Sequence, residues 1–315
     1  MIGAGQIGFR HLQAMGRLSF PARTWVVDAV KSAAESACTR AALGTAEVAR
    51  AATYGELPPS LAVAIVATTA DCRLAALEQL LGATKVHHVI LEKVLFQTDA
   101  DFHRAENLLA GFGTTAWVNC GRRLYPIYQH IRGELARRSE PMLLNVTGSN
   151  LRLGTNLIHL VDLFAYLTGS VEMTVDAAGI VDPPRPGKRA GCIEFNGLVQ
   201  MRTPRGDVAC VQSLGAPGLS RHATVRCGDA TWLLDEMSGA LAVQEVGVFH
   251  FESVAIPLQS EMSHRFVEQL VLQSTTRLTP FSDSVALHRQ MFAGLDAALS
   301  PRWPQWASGG ARPIT

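Results

Sequence analysis

The residues whose types and spacing point to chemistry begin at the third position. Gly3-Ala4-Gly5-Gln6-Ile7-Gly8 has the spacing G-x-G-x-x-G, and Phe9 to Ala14 continue with helical apolar spacing. In such a turn the first glycine permits a tight strand-to-helix corner and the second lets backbone approach a pyrophosphate. The third lets helix pack close to strand. Gln6 and Ile7 then open a helix whose free N–H groups and positive dipole end suit phosphates. A glycine-rich turn alone reads the same way, so its companions matter. Thr24-Trp25-Val26-Val27-Asp28 is an apolar run ending in an acid 20 residues after Gly8. That is where a carboxylate meets the adenosine ribose hydroxyls. Leu61 to Ala67 is a buried-strand pattern closing on Thr68-Thr69.

Three more groups carry candidate chemistry. Val86 to Leu91 delivers Glu92-Lys93 at the carboxyl end of a strand, the edge of an open α/β sheet where ligands lie. A lysine there can donate to a substrate oxygen or shuttle a proton; it also reads as a surface lysine paired with Glu92. On a helix, Thr155, His159 and Asp162 share one face, with Asn156 and His159 neighbours at i, i+3. His159 then reads either as an acid/base or as a core histidine satisfied by Asp162. Arg122-Arg123, followed by Tyr125, suit a ligand carboxylate or phosphate, or are solvated arginines at a domain junction. Cys120 lies near this stretch and reads as reactive or simply buried.

Positioning these groups takes two kinds of architecture. Residues 1–120 alternate strand and helix patterns, the signature of a parallel α/β sheet. Helices are predicted at 6–18, 30–52, 72–82 and 98–111, and strands at 24–28, 62–67, 86–91 and 115–119. Gly82 and Gly111/Gly113 sit where helix C-caps belong. Residues 121–300 begin with a helix at 124–138, a strand at 141–148 and a helix at 155–168. Strand-like runs follow at 171–180, 190–195, 198–203, 207–213, 222–227, 230–234 and 240–244. Asn196-Gly197 reads as a turn and 183–188 as a surface loop. Two helices, 260–274 and 283–299, precede an irregular tail at 301–315. The fold class is α/β: an N-terminal doubly wound parallel sheet plus a C-terminal α+β domain with a large open, mostly antiparallel sheet.

One feature of the opening conflicts with this architecture. A first strand spans about five or six residues, yet only Met1 and Ile2 precede Gly3. Losing about four apolar residues from a doubly buried strand forfeits about 6–12 kcal/mol. The expectation is that the native chain begins a few residues earlier.

Composition narrows the class. The 315 residues are 48% hydrophobic and 17% charged, with net charge +1. That is enough apolar material for two cores, and nothing favours nucleic acid or an anionic membrane. No run approaches the roughly 18 apolar residues of a membrane span. Six scattered cysteines without a C-x-x-C pair read as reduced thiols of a cytoplasmic protein. Metal binding lacks support, because His87-His88 point to opposite faces of a strand and the other histidines are isolated. No G-x-S-x-G is present to suggest a serine nucleophile.

Taken in order, the chain resembles the glucose–fructose oxidoreductase / inositol dehydrogenase / rhizopine-catabolism (Gfo/Idh/MocA) family over nearly its full length. The resemblance is carried by Gly3 to Ala14, Ala67 to Asp71, Leu91-Glu92-Lys93, Arg122-Arg123, Gly154 to Gly169 and Leu278 to His288. It implies a Rossmann domain binding NAD or NADP and a second domain used for substrate and for homo-oligomerisation, as dimer or tetramer. It implies hydride transfer at a carbinol of a sugar, nucleotide sugar or cyclitol. It makes Lys93 catalytic, although Val94 stands where the family has proline. His159 and Asp162 match the family's helix, but Thr155 replaces its first aspartate, a group that would hold positive charge nearby. The implied catalytic set is Lys93 polarising the substrate oxygen, His159 as acid/base, and Thr155 or Asn156 orienting. The cofactor set is Gly3, Gly5, Gln6, Ile7, Gly8, Asp28, Thr68, Thr69, Glu92 and Lys93. The substrate set is Arg122, Arg123, Tyr125 and Asp162. Asp28 accepts from a 2′-hydroxyl and repels a 2′-phosphate, favouring NAD over NADP, with Lys31 as a partial offset. The competing reading, favoured by Thr155 and Val94, is a catalytically silent dinucleotide-binding subunit.

Overall fold

In the computed structural model the described residues are 1–41, 46–304, 306 and 310–315. They divide into two units, Met1–Gly121 with Pro257–Ser282, and Arg122–Ile256 with Asp283–Thr315.

The first unit runs α1 (Gln6–Met15), β1 (Ala22–Val26), α2 (Lys31–Ala41), β2 (Ala46–Arg50), β3 (Ser60–Val66), α3 (Ala70–Ala83), β4 (Lys85–Leu91), α4 (Asp99–Phe112) and β5 (Thr115–Val118). β3, β4 and β5 pair in parallel, as do β1 and β2. The runs Ala64–Val66 and Val89–Leu91 are buried because helices cover both faces of such a sheet. Gly113, in the left-handed region, caps α4, whereas Gly82 and Gly111 lie inside helices. Ala46–Arg50 is strand rather than the end of a long helix. Its Ala-Glu-Val-Ala-Arg composition reads helical, but pairing along β1 overrides that propensity.

Between β1 and β3, Ile2 alone bridges both neighbours, Val27 on one side and Val66 on the other. Its N–H donates to the Ile65 carbonyl (2.8 Å), and its own carbonyl accepts from Ala67 (2.7 Å). The Met1 amino group donates to the Trp25 carbonyl (2.7 Å), and burial pushes it down to about 5. Beside it lies a cavity of about 330 Å³ whose lining includes Met15, Trp25, Leu61, Val63 and Val267.

The second unit is one eight-stranded sheet with helices: α5 (Pro126–Leu135), β6 (Leu143–Ser149), α6 (Leu153–Thr168), β7 (Thr174–Pro186), β8 (Ile193–Arg202), β9 (Val208–Leu214), β10 (His222–Cys227), β11 (Ala230–Asp235), β12 (Ala240–Glu245) and β13 (Val248–Ser253). The order is β13-β12-β11-β10-β6-β9-β8-β7, antiparallel except for the β6–β9 pair. Two expectations change here. Asn196-Gly197 is no turn; β8 runs through it, with register shifts against β7. Residues 183–186, expected in a surface loop, extend β7 to Pro186.

The chain then returns to the first unit with α7 (Gln259–Gln273), packed on α1, and β14 (Thr279–Pro280), antiparallel to β5. α8 (Phe281–Leu299) and the tail follow. The sequence reading placed 257–282 in the second domain; the spacing of α7 specifies a helix but not its partner. No helix among the described residues is long and apolar enough to cross a membrane.

Candidate active site

In the first unit the glycine turn is built by close approach. Gly3 sits at φ +88°, and a Cβ there would lie 3.0 Å from the Ala67 carbonyl carbon. A Cβ on Gly8 would overlap the Gly3 carbonyl oxygen, so helix and turn meet only because position 8 has no side chain. A Cβ on Gly5, by contrast, would meet nothing within 4 Å. That open space lies over the N-terminus of α1, which has no side-chain cap and no acid in its first turn. Gln6 and Ile7 are exposed beside it. The arrangement fits the pyrophosphate of a dinucleotide, because uncapped N–H groups face a gap a ligand can enter. Thr68 adds a buried Oγ1 with no hydrogen-bond partner among the described residues. Thr69 Oγ1 lies 3.0 Å from Cys72 Sγ. Asp28 is tied into the turn, accepting from Ala4 N (2.6 Å) and Val30 N (2.8 Å). Lys31 pairs with Glu35 at 3.7 Å on the exposed face of α2. Gly8→Ala should therefore cost about 3 kcal/mol in the turn, the upper end of the range for overpacking, since backbone rather than a rotamer must move. The expected outcome is loss of NADH-dependent fluorescence change in a protein whose circular dichroism still shows a folded second unit.

Lys93 is half-buried, in a turn held on both sides. Glu92 is buried and accepts from Asn119 Nδ2 (2.5 Å), with His11 Nε2 at 2.9 Å. His11, fully buried on α1, reaches Ser263 of α7 through Nδ1 (2.7 Å). Gln259 of α7 closes the cluster on Asn119 and Ser263. Burial would raise the Glu92 carboxyl, but His11, Asn119 and the Lys93 charge outweigh it and hold it below the ordinary range. On the other side, buried Arg73 donates to the carbonyls of Val94, Leu95 (2.8 Å) and Thr68. The Lys93–Val94 peptide bond is cis. Glu92, read from sequence as a cofactor contact, is thus an internal anchor of the turn.

In the second unit, α6 carries Thr155, Asn156 and His159, all half-buried. Thr155 Oγ1 donates to Glu194 Oε1, and its N–H to Glu194 Oε2 (3.2 Å). Asn156 Nδ2 donates to the Leu151 carbonyl (3.0 Å). Asp162 is buried and accepts a bidentate pair from Arg123 (3.0 and 2.8 Å), whose guanidinium also lies over the Tyr166 ring. Arg122 is buried against Glu236 (3.0 and 3.1 Å), which also accepts from Tyr128 (2.6 Å) and Arg221. Tyr125 stacks on Tyr128, and burial raises its hydroxyl.

These pairings bear on the expected substrate set. Arg122, Arg123 and Asp162 were read as substrate contacts; they are ion-paired internally, since a buried guanidinium needs its own carboxylate. Cys120 is fully buried. Sequence reasoning missed His11, Arg73, Glu194 and Glu236. Only His11 left a signal, its place with Leu12 and Met15 on the buried face of α1.

No protein-family model and no curated protein matches the sequence. Among solved structures, an oxidoreductase from Agrobacterium radiobacter in complex with NAD+, L-tartaric acid and magnesium is 15% identical, with TM-score 0.75 and 96% of each chain covered. UDP-N-acetylglucosamine 3-dehydrogenase GnnA from Acidithiobacillus ferrooxidans is 16% identical, with TM-score 0.72, covering 95% of this chain and 96% of its own. GenD2 from gentamicin A biosynthesis, in complex with NAD, is 17% identical, with TM-score 0.72, covering 96% and 93%. The chain has the fold of these oxidoreductases.

Proposed function

We propose that the chain is an NAD-dependent oxidoreductase that moves hydride between nicotinamide and a carbinol carbon of a sugar, nucleotide sugar or cyclitol. The observation that carries this is the Gly3–Gly8 turn, with open space over Gly5 and an uncapped helix end behind it. The unpartnered Thr68 hydroxyl supports it. So do the NAD bound by two solved structures of this fold and the nucleotide sugar in the name of the third.

When bound, the nicotinamide supplies or takes up the hydride. N–H groups at the start of α1, through Gln6, Ile7 and Gly8, would hold the pyrophosphate, with Gly5 leaving room for its approach and Gly3 making the corner beneath it. Asp28 accepts from a ribose hydroxyl through lone pairs that Ala4 and Val30 leave over, and its charge disfavours a 2′-phosphate. Thr68 and Thr69, just past the end of β3, would offer their hydroxyls to the same cofactor. Oxidising a carbinol releases a proton from its hydroxyl as hydride leaves its carbon. The Lys93 ammonium donates to that oxygen and His159 takes the proton. Thr155 and Asn156 orient the sugar, and Tyr125 borders it.

NADH titration followed by nicotinamide fluorescence tests binding. NADH formation from NAD with myo-inositol, D-glucose or UDP-N-acetylglucosamine tests turnover. Binding without turnover of any of the three favours the silent-subunit reading.

The same reading includes a homo-oligomer, dimer or tetramer, in a reducing, cytoplasmic setting that keeps the six cysteines as thiols. Leu233, Ala242 and Phe251 stand in register across β11, β12 and β13, on the face opposite buried Trp232 and Leu241. Phe251 is 80% exposed and stacks on Phe249. An apolar row of this kind marks an interface. Phe251→Glu is expected to reduce the mass seen by light scattering to that of the monomer; an unchanged mass contradicts this face as the contact.

A further inference from the structure

α6 starts without an acid in its first turn and without a side-chain cap of its own. A carboxylate reaches that turn from elsewhere. Glu194, on β8, accepts from both the hydroxyl and the N–H of Thr155. The approach is built in, because a Cβ on Gly154 would lie 2.5 Å from the Ile193 carbonyl and 3.0 Å from Glu194 Oε2. Any other residue at 154 would push the β8 backbone and its carboxylate away. Arg185 stands directly opposite Glu194 in the β7–β8 register, yet its guanidinium turns to Asn150 (3.4 Å). Among the described residues Glu194 forms no ion pair. Two donors and the positive end of a helix hold its negative charge instead.

Thr155 and His159 are one helical turn apart on one face, about 5–6 Å between Cβ atoms. Asp162, the next carboxylate along α6, is neutralised by Arg123. Of the elements packed on α6, α5 brings Tyr128, bound to Glu236, Glu134, bound to Arg137, and His130 and Arg132, the last held at the Tyr166 carbonyl. β9 brings Cys210, and β8 brings Arg202 besides Glu194. Arg152 precedes the helix and is exposed.

We propose that Glu194, gripped by Thr155 at the first turn of α6, is the positioning carboxylate that favours the charged form of His159. This rests on the reading of His159 as the acid/base. An unpaired carboxylate one turn from an imidazole stabilises the imidazolium that forms when a carbinol gives up its proton. Thr155 places the charge rather than carrying it.

The test is titration of His159 by NMR in the full chain with ring-labelled histidine, its signal assigned through His159→Gln. Glu194→Gln should lower the His159 midpoint by about half a pH unit, about a threefold change in the protonation equilibrium. Thr155→Val, which removes only the hydroxyl that grips Glu194, should lower it in the same direction, and Thr155→Ser should leave it. Should Glu194→Gln fail to fold, Thr155→Val alone decides. An unchanged midpoint with only a lower Tm would make Glu194 a helix cap and overturn the proposal. If a sugar is turned over, the acid limb of kcat/KM should move by the same amount. If NADH binds and no sugar reacts, the oxidoreductase reading fails while the midpoint still decides what Glu194 does.

Discussion

Lys93→Ala is expected to lower turnover by about 10³-fold, within the range for losing a positioned proton donor. The Kd for NADH should change by less than about threefold, under 1 kcal/mol. The split follows from how the turn is held. Glu92 is anchored by His11 and Asn119, and the carbonyls of Val94 and Leu95 by Arg73. These anchors hold the backbone of the turn from both sides, so they stay in place when the lysine side chain is replaced. Steady-state rates with whichever sugar reacts, beside fluorescence titration with NADH, check both halves. Equal turnover in variant and wild type removes Lys93 from the chemistry; a parallel loss of NADH binding makes it a cofactor ligand instead.

Glu236→Ala is the largest stability effect expected. It leaves the Arg122 guanidinium, only 10% exposed in its side chain, without its carboxylate. Breaking a buried pair from one side costs about 3–5 kcal/mol, and Tyr128 loses its acceptor as well. Denaturant unfolding should show the loss, with Arg122→Met/Glu236→Leu recovering the part due to a stranded Arg122, while Arg221 and Tyr128 still lose their partner. The pH dependence carries the same signature. Burial would raise the Glu236 carboxyl, but Arg122, Arg221 and the Tyr128 hydrogen bond outweigh it and hold it below the ordinary range. A carboxyl depressed in the folded state binds fewer protons there than in the unfolded chain. Its contribution is complete above the unfolded value of about 4.3 and disappears as pH falls through the folded one. Glu236→Gln should accordingly flatten the acid side of the stability curve. An equally steep acid side in that variant would assign the effect to other carboxylates.

How much of this was legible follows from which forces are local. The parallel sheet of the first unit could be read because β3 and β4 are short apolar runs punctuated by glycine and threonine, and burial on both faces demands that pattern. β2 could not, since Ala46–Arg50 becomes a strand only through β1. The break expected at Asn196-Gly197 was a turn by composition and a continuous strand by pairing. Among the candidate residues, the glycine turn, Lys93 and His159 could be picked out because spacing along one element is the signal. The groups that hold them were not. Glu194 is 39 residues from Thr155, and Glu236 is 114 from Arg122. Arg122 and Arg123 look alike in sequence and like ligands for an anion, and only the fold shows that each already has one.

The account stands or falls on hydride leaving a sugar carbon for NAD. The most direct measurement is NADH formation by the purified chain with NAD and myo-inositol, D-glucose or UDP-N-acetylglucosamine, run beside Lys93→Ala. The account predicts NADH with at least one of the three, and its loss in the variant. NADH binding with no turnover of any of them, or turnover that survives without Lys93, would contradict it.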